Sequence, residues 1–218
     1  MRPIFDFLVL GVMYMVNESY APKYCRIAVE GITGSGVSSF LWDLESYGGS
    51  HVQWTNESEC IWDGHWSNTD WFNYTAHKYG EWIYGINTIP KGSTIFYERS
   101  IWSNMVYAQW DYRIRHFLDL DGYKILKSEY EKMVSNCPLP HLVIYFECSA
   151  DKSPLPRNQF IALDDLYETW LSIMESKGVK VLRITRPNTY GLEHDFWMEK
   201  LIQPVSYTHL TLPTKNEV

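Results

Sequence analysis

The stretch Tyr24–Leu44, YCRIAVEGITGSGVSSFLWDL, constrains the fold of this chain more than any other segment does. A short, mostly apolar run precedes three closely spaced glycines, and a segment with helical character begins directly after them. Strand, glycine-rich loop and helix in this order form the setting in which backbone N–H groups bind phosphate at the positive end of a helix. The sequence therefore predicts an anion-binding loop at the carboxyl end of a strand.

This loop matches the phosphate-binding P-loop pattern incompletely. Gly31 and Gly36 stand five apart, as in G-x-x-x-x-G-K-[ST], but Val37 occupies the lysine position. Ser38, at the position of the magnesium ligand, is present, and Ser39 follows it. Removing one preorganised electrostatic contact from a transition state costs on the order of 10²–10³ in rate. We therefore expect phosphate binding to survive better than catalysis, and a glycine turn with no ligand is the alternative.

Composition narrows the range of partners. The chain has 218 residues and a net charge of -7, which argues against binding a nucleic-acid polymer through its phosphates. Aromatic residues cluster between Gln53 and Tyr84, where they suggest a ring-lined cleft or a large docking surface. The cysteines fall at no metal-ligand spacing and are predicted to be buried free thiols: Cys25, Cys60, Cys137 and Cys148.

Strand-like and helix-like segments alternate along the chain. After the first strand and helix, strands are predicted at 51–54, 94–97, 141–148 and 179–184, and helices before about 117 and at 122–134 and 161–176. This alternation predicts an α/β fold of three α/β/α layers around a doubly wound, mostly parallel sheet. In residues 55–89 acidic residues alternate with tryptophans, so that a carboxylate could act as general base and rings could sandwich a planar base. An ordinary loop with solvated acidic residues is the alternative.

Two charged residues follow the strand at 94–97. Glu98 and Arg99 lie where parallel sheets bind ligands, at the carboxyl end of a strand. Glu98 is a candidate for holding magnesium through water, and Arg99 for binding phosphate oxygens. The alternative is a structural ion pair that caps the next helix.

The ends of the chain are predicted to lie outside this domain. Residues 1–23 form an N-terminal extension whose apolar run, Phe7–Val16, is short for a membrane span. A weak signal peptide or anchor, an extra strand and a docking segment are the alternatives for this run. The domain itself is predicted at 24–205. The segment 206–218, SYTHLTLPTKNEV, has no helical or strand periodicity and is interpreted as an appended, non-native tail.

Four segments in this order resemble the motifs of the deoxynucleoside kinase family. They are the glycine loop at 31–36, ERSIWSN at 98–104, LVIYFECSA at 142–150 and IALDDLYETWL at 161–171. The likeness covers residues 24–184. It implies a domain of the P-loop kinase type, in which ATP and Mg²⁺ serve phosphoryl transfer to a nucleoside 5′-hydroxyl.

The resemblance also assigns roles to residues. It implies that the nucleotide phosphates are bound by Gly31, Gly34, Ser35, Gly36, Ser38 and Ser39. It places Ser38 and Glu98 at the metal, and Arg99 at the transferring phosphate and the substrate. It makes Glu57 the catalytic base, and Trp71 and Glu98 contacts of the nucleoside.

The sequence departs from the family at four places. Val37 replaces the P-loop lysine, and ESECIW at 57–62 is only an approximate counterpart of the family's E-P-V-x-x-W segment. The glutamine that reads the nucleobase has no match at 75–77. Where the family has an arginine-rich lid helix, this chain has a short loop with only Lys152 and Arg157.

Two functions follow from these observations. The first is an impaired deoxynucleoside kinase, homodimeric, with ATP and Mg²⁺ as cofactors. The second is a catalytically silent scaffold in a multi-subunit assembly, like the kinase-fold accessory subunit of mitochondrial respiratory complex I. That scaffold would hold a nucleotide or none and would contact a membrane only through the larger complex. The sequence is compatible with a mitochondrial or a cytoplasmic location.

Overall fold

The computed structural model describes residues 25–47, 52–55, 66–88 and 94–185. These ranges all lie in one compact unit, Tyr24–Arg186. The N-terminal extension, the appended tail, the end of the predicted domain beyond residue 185 and the candidate base Glu57 lie outside the described residues.

Five strands form one sheet. They are β1 (Cys25–Gly31), β2 (Val52–Thr55), β3 (Thr94–Glu98), β4 (Leu142–Glu147) and β5 (Lys180–Thr185). The strand order is β2-β3-β1-β4-β5, and every neighbouring pair is parallel. The predicted α/β fold class with a mostly parallel sheet is therefore confirmed.

Helical segments connect these strands. They are α1 (Val37–Tyr47), α2 (Asn68–Thr88), a 3₁₀ turn (Ile101–Ser103), α3 (Asn104–Trp110), a π-helical turn (Asp111–Arg115), α4 (Leu120–Val134) and α5 (Arg157–Ser176). None of the helices in these described ranges is long and apolar enough to cross a membrane.

The central strand carries the glycine loop to the ligand-binding edge of the sheet. In β1, Val29 pairs with Glu98 of β3 and with Ile144 of β4. Residues 142–146 of β4 are continuously buried, as expected for a strand that is covered on both faces. The loop that follows β1 therefore emerges between the carboxyl ends of β3 and β4, where open α/β sheets bind ligands.

Helix α2 occupies residues 68–88, within the stretch 55–89 for which an ordinary loop was the alternative interpretation. Ser67 and Asp70 form a reciprocal cap: the Ser67 N–H and hydroxyl donate to Asp70 Oδ2 over 2.8 and 2.7 Å. The Asp70 N–H donates back to Ser67 Oγ over 3.3 Å. The buried face repeats at helical spacing and consists of Trp71, Tyr74, Thr75, Lys78, Trp82 and Gly85. Polar residues at two of these positions conceal the helical period from a hydrophobicity reading.

Other boundaries differ by a few residues. The helix predicted before residue 117 is divided into a 3₁₀ turn, α3 and a π-helical turn, and it ends at His116, whose φ is 59°. The predicted helix at 161–176 begins four residues earlier, at Arg157. This shortens the loop between β4 and α5 and brings it close to the glycine loop.

Candidate functional site

The glycine loop has the backbone geometry that its glycines allow. Gly34 and Gly36 have φ angles of 91° and 97°, which favour glycine over residues with a Cβ. The Ser35 N–H closes a tight turn on the Ile32 carbonyl over 2.9 Å, and α1 begins at Val37 directly after the loop. The first N–H groups of α1 therefore lie beside the loop, in the arrangement that binds anions.

The loop that follows β4 packs against the glycine loop. The Ser153 hydroxyl donates to the Thr33 carbonyl over 3.0 Å. A Cβ on Gly34 would lie 2.9 Å from the Lys152 carbonyl oxygen and 3.1 Å from Pro154 Cδ. The short lid expected from the sequence is thus in direct contact with the loop it would cover, and it leaves room only for glycine at position 34.

Ser38 and Glu98, the two residues predicted to hold magnesium, are in contact. The Ser38 hydroxyl in the first turn of α1 donates to Glu98 Oε1 at the end of β3 over 2.5 Å. Glu98 is buried, and its carbonyl accepts a hydrogen bond of 2.9 Å from the Lys78 ammonium on α2. Mg²⁺ prefers oxygen ligands and is usually bound by one or two protein groups together with substrate phosphates. A hydroxyl beside a carboxylate fits that requirement.

Larger metal clusters are not found in the described ranges. No group of three or more His, Cys, Asp and Glu side chains there could hold a metal ion. The thiols of Cys137 and Cys148 form no disulfide among the described residues, and both residues are half-buried, whereas the sequence predicted buried thiols. Any cation at Ser38 and Glu98 would therefore depend on its other ligands, such as phosphate oxygens.

Arg99 points toward the glycine loop. Its Nη2 donates to Thr33 Oγ1 over 3.4 Å, and its guanidinium lies 4.8 Å from the ring centroid of Tyr107. The residue is buried and has a φ of 52°, in the left-handed region that residues other than glycine seldom occupy. The structure therefore brings Arg99, Ser38 and Glu98 to the same edge of the sheet as the loop.

Glu30 was not among the residues predicted from sequence. Its Oε1 accepts hydrogen bonds from the Ser100 N–H over 2.9 Å and from the Ser100 hydroxyl over 2.8 Å, and its Oε2 accepts one from the Tyr167 hydroxyl over 3.4 Å. Burial raises the pKa of Glu30 from 4.5 to about 7, against the opposing effect of hydrogen bonds from Ser103 and Ser100 and of the Arg99 charge. The sequence does contain a signal for it, namely a carboxylate inside an apolar strand immediately before the first glycine.

A second group missed from sequence lies where α2 meets α3. The Asn104 side-chain amide donates to Thr75 Oγ1 over 2.6 Å, and Thr75 donates to the Trp71 carbonyl over 2.8 Å. Asn104 Oδ1 is buried and has no hydrogen-bond partner among the described residues. It is an acceptor that a ligand with an N–H or O–H group could satisfy.

Trp71, predicted to contact the nucleoside, lies in the core of the described unit. Its indole N–H donates to Asp111 Oδ2 over 2.6 Å, and its ring packs edge-on against Trp66 at 5.1 Å. Burial raises the pKa of Asp111, while the hydrogen bond from Trp71 and the charge of Arg115 lower it. The single donor of this indole is thus already used within the protein.

Comparisons with known proteins support the fold. No protein-family model matches the chain, and no curated protein sequence matches it. Among solved structures, the chain is similar to that of deoxyadenosine kinase from M. mycoides with bound dATP, with a TM-score of 0.61 and 13% sequence identity. The match covers 81% of this chain and 98% of the kinase chain. At this identity the likeness shows the fold alone and leaves the chemistry to the residues of the site.

Proposed function

We propose that this chain binds ATP and Mg²⁺ at the glycine loop and transfers the γ-phosphoryl group, at an impaired rate, to the 5′-hydroxyl of a nucleoside. The observation that carries this proposal is the contact of 2.5 Å between Ser38 Oγ and Glu98 Oε1, beside a loop toward which Arg99 is directed. The fold likeness to deoxyadenosine kinase supports the same substrate class.

Each residue then has a defined task. The glycine loop and the first turn of α1 would hold the phosphates, through Gly31, Gly34, Ser35, Gly36, Ser38 and Ser39. Ser38 and Glu98 would hold Mg²⁺, which neutralises charge on the phosphate oxygens. Arg99 would bind the transferring group with a charge-assisted hydrogen bond.

The transfer itself needs a base and an in-line acceptor. The 5′-hydroxyl oxygen forms a bond to the γ-phosphorus, the bond from that phosphorus to the bridging oxygen breaks, and ADP leaves. The hydroxyl proton passes to a carboxylate, for which we propose Glu57. The nucleoside would lie between Trp71, Glu98 and Arg99, and Asn104 Oδ1 offers it an unsatisfied acceptor.

Impairment follows from Val37. Its side chain is 5% exposed and provides no charge for the phosphates. Phosphoryl transfer depends almost entirely on positioning and on charge stabilisation. We therefore expect measurable ATP binding together with slow turnover.

Binding of ATP with and without magnesium tests the metal role. We expect the wild-type protein to bind ATP more tightly with Mg²⁺, and Ser38→Ala to lose about tenfold in affinity only when the metal is present. Ser172→Ala is a matched control, because this exposed hydroxyl bonds only to the backbone of its own helix, at Glu168. An affinity that is the same in Ser38→Ala and wild type with Mg²⁺ would show that the metal role is wrong.

Activity is tested with the four deoxynucleosides and ATP. Slow phosphorylation by the wild type, accelerated by Val37→Lys, is the expected result. No turnover by either protein would count heavily against the proposed kinase activity.

A catalytically silent scaffold is the second candidate, and the burial of Val37 favours it. An apolar residue that is packed at the lysine position suits a protein that uses the loop for structure. Purification from its source should then yield a large assembly. A soluble, active dimer would exclude this candidate.

A further inference from the structure

Glu30 connects the two segments from which the site is built. It directly precedes Gly31, the first glycine of the loop, and its carboxylate is bonded to Ser100, the residue after Arg99. The side chain is 0% exposed. A fully buried carboxylate is costly to retain, so its neighbours indicate what it does.

The groups around Glu30 come from three parts of the fold. Ser100 and Arg99 face it from the segment after β3, Tyr167 faces it from α5, and the charge of Glu30 contributes to the raised pKa of Tyr130 on α4. In each of the three hydrogen bonds described above, the carboxylate is the acceptor. These donors favour the ionised form and burial favours the neutral one, and the resulting pKa of about 7 leaves both forms populated near neutral pH.

Arg99 needs support from its surroundings. A left-handed φ of 52° in a residue with a Cβ persists only where neighbouring groups fix the backbone. On one side, the Arg99 N–H donates to the Val29 carbonyl over 3.0 Å. On the other side, the Ser100 N–H and hydroxyl are both held by Glu30.

We propose that Glu30 is a positioning residue which, through Ser100, fixes the left-handed turn at Arg99 and directs its guanidinium at the glycine loop. The expected effect of Glu30 on ATP binding rests on the proposed function. Its expected effect on the backbone at Arg99 and Ser100 does not.

A double-mutant cycle tests whether Glu30 acts through Arg99. Glu30→Gln keeps the shape of the side chain and one acceptor oxygen but removes the charge. We expect it to weaken ATP binding about tenfold in the wild-type background, the size of a weakened charge-assisted hydrogen bond. In the Arg99→Ala background it should weaken binding less than twofold, because residues that act as one unit are not additive. Equal losses in both backgrounds would overturn the proposal.

Two further variants control this cycle. Glu131→Gln removes an exposed carboxylate whose side chain is 63% accessible and lies 3.9 Å from Lys127, and it should bind ATP as the wild type does. Ser100→Ala removes only the hydroxyl donor and keeps the backbone N–H. It should lose about two- to threefold in the wild-type background and nothing in Arg99→Ala, and it remains available if Glu30→Gln does not fold.

The amide proton of Ser100 gives a readout that needs no ATP. In the wild type its NMR resonance should shift with pH with a midpoint near 7, because it is bonded to a carboxylate with that pKa. In Glu30→Gln the titration should disappear, and the backbone resonances of Arg99 should shift as its turn loses this support, whereas a carboxylate with no role at Arg99 would leave the Arg99 resonances unchanged. Backbone resonances of Arg99 and Ser100 that are the same in Glu30→Gln and in the wild type would overturn the proposal.

The two failures can be separated. Absence of ATP binding by the wild type refutes the proposed function, and the Arg99 and Ser100 backbone resonances then decide the positioning role alone. ATP binding that Glu30→Gln leaves unchanged refutes the positioning role alone.

Discussion

Replacing Glu30 by glutamine also tests how much the ionised, buried carboxylate lowers the free energy of unfolding. In the unfolded chain the Glu30 carboxyl group loses its proton near pH 4.5. In the folded protein it keeps this proton until about pH 7, because burial raises the pKa of Glu30. The folded state therefore binds more protons between these values, and stability falls as pH rises through this window. Between pH 5 and pH 8, ionisation of this group costs roughly 2–3 kcal/mol of unfolding free energy, and the glutamine variant escapes that cost.

His141 changes the stability with pH in the opposite direction to Glu30. The wild-type curve of stability against pH therefore does not isolate the contribution of Glu30. Its Nδ1 accepts the Arg26 N–H over 2.9 Å, and burial together with the Arg26 charge lowers the pKa of His141 from 6.5 to about 4. The folded state binds fewer protons than the unfolded chain between pH 4 and 6.5, so this group makes stability rise with pH. Both proteins contain His141, and the difference between their curves isolates Glu30.

The assay is denaturant unfolding of the wild type and Glu30→Gln between pH 5 and pH 8. The altered hydrogen bonds should change the free energy of unfolding of the variant by an amount that does not depend on pH. In addition, the variant should gain roughly 2–3 kcal/mol of unfolding free energy relative to wild type as pH rises. Glu131→Gln, which removes an exposed carboxylate, is the control for the loss of one negative charge. If the free energies of unfolding of Glu30→Gln and wild type change with pH in parallel, the raised pKa of the buried Glu30 carboxylate is refuted.

The remaining predictions concern backbone strain and the core. Gly34→Ala should destabilise the protein by about 1–2 kcal/mol and weaken ATP binding, because its φ is 91° and the new Cβ would lie 2.9 Å from the Lys152 carbonyl oxygen. Gly80→Ala, in a helix and with no atom within 4 Å of the new Cβ, should instead gain about 0.5–1 kcal/mol, and thermal melting distinguishes the two. Trp71→Phe should cost about 1–3 kcal/mol in denaturant unfolding, because the buried Asp111 loses an N–H donor at 2.6 Å, and a loss below about 0.5 kcal/mol would contradict this.

The fold was predictable because its signals are local. The apolar runs of β1 and β4 and the glycine spacing at 31–36 are each contained in a short window, and their order allows only a few topologies. Helix α2 escaped prediction because Thr75 and Lys78 occupy its buried face, where they bond to Trp71 and to the Glu98 carbonyl. Those bonds link residues whose proximity a hydrophobicity pattern does not encode.

The site was predictable only in part, for a related reason. Ser38, Glu98 and Arg99 were found because each follows a recognisable local feature, and the structure brings them to one edge of the sheet. The contact between Trp71 and Asp111 spans 40 positions. The bond between Glu30 and Ser100 spans 70, and no pattern in a single sequence encodes that separation.

The distribution of cations at this edge makes Arg99 the centre of the proposed chemistry. Lys78 is buried, and its ammonium is held at 2.9 Å by the Glu98 carbonyl, so releasing it to a phosphate would leave that carbonyl in need of another donor. Val37 supplies no charge. Among the described residues, Arg99 is the cation whose contact with Thr33 directs it at the glycine loop. Affinity for ATP should therefore depend on this guanidinium and on backbone N–H groups, and a residue that fixes its turn, as we propose for Glu30, would control the site without touching the nucleotide.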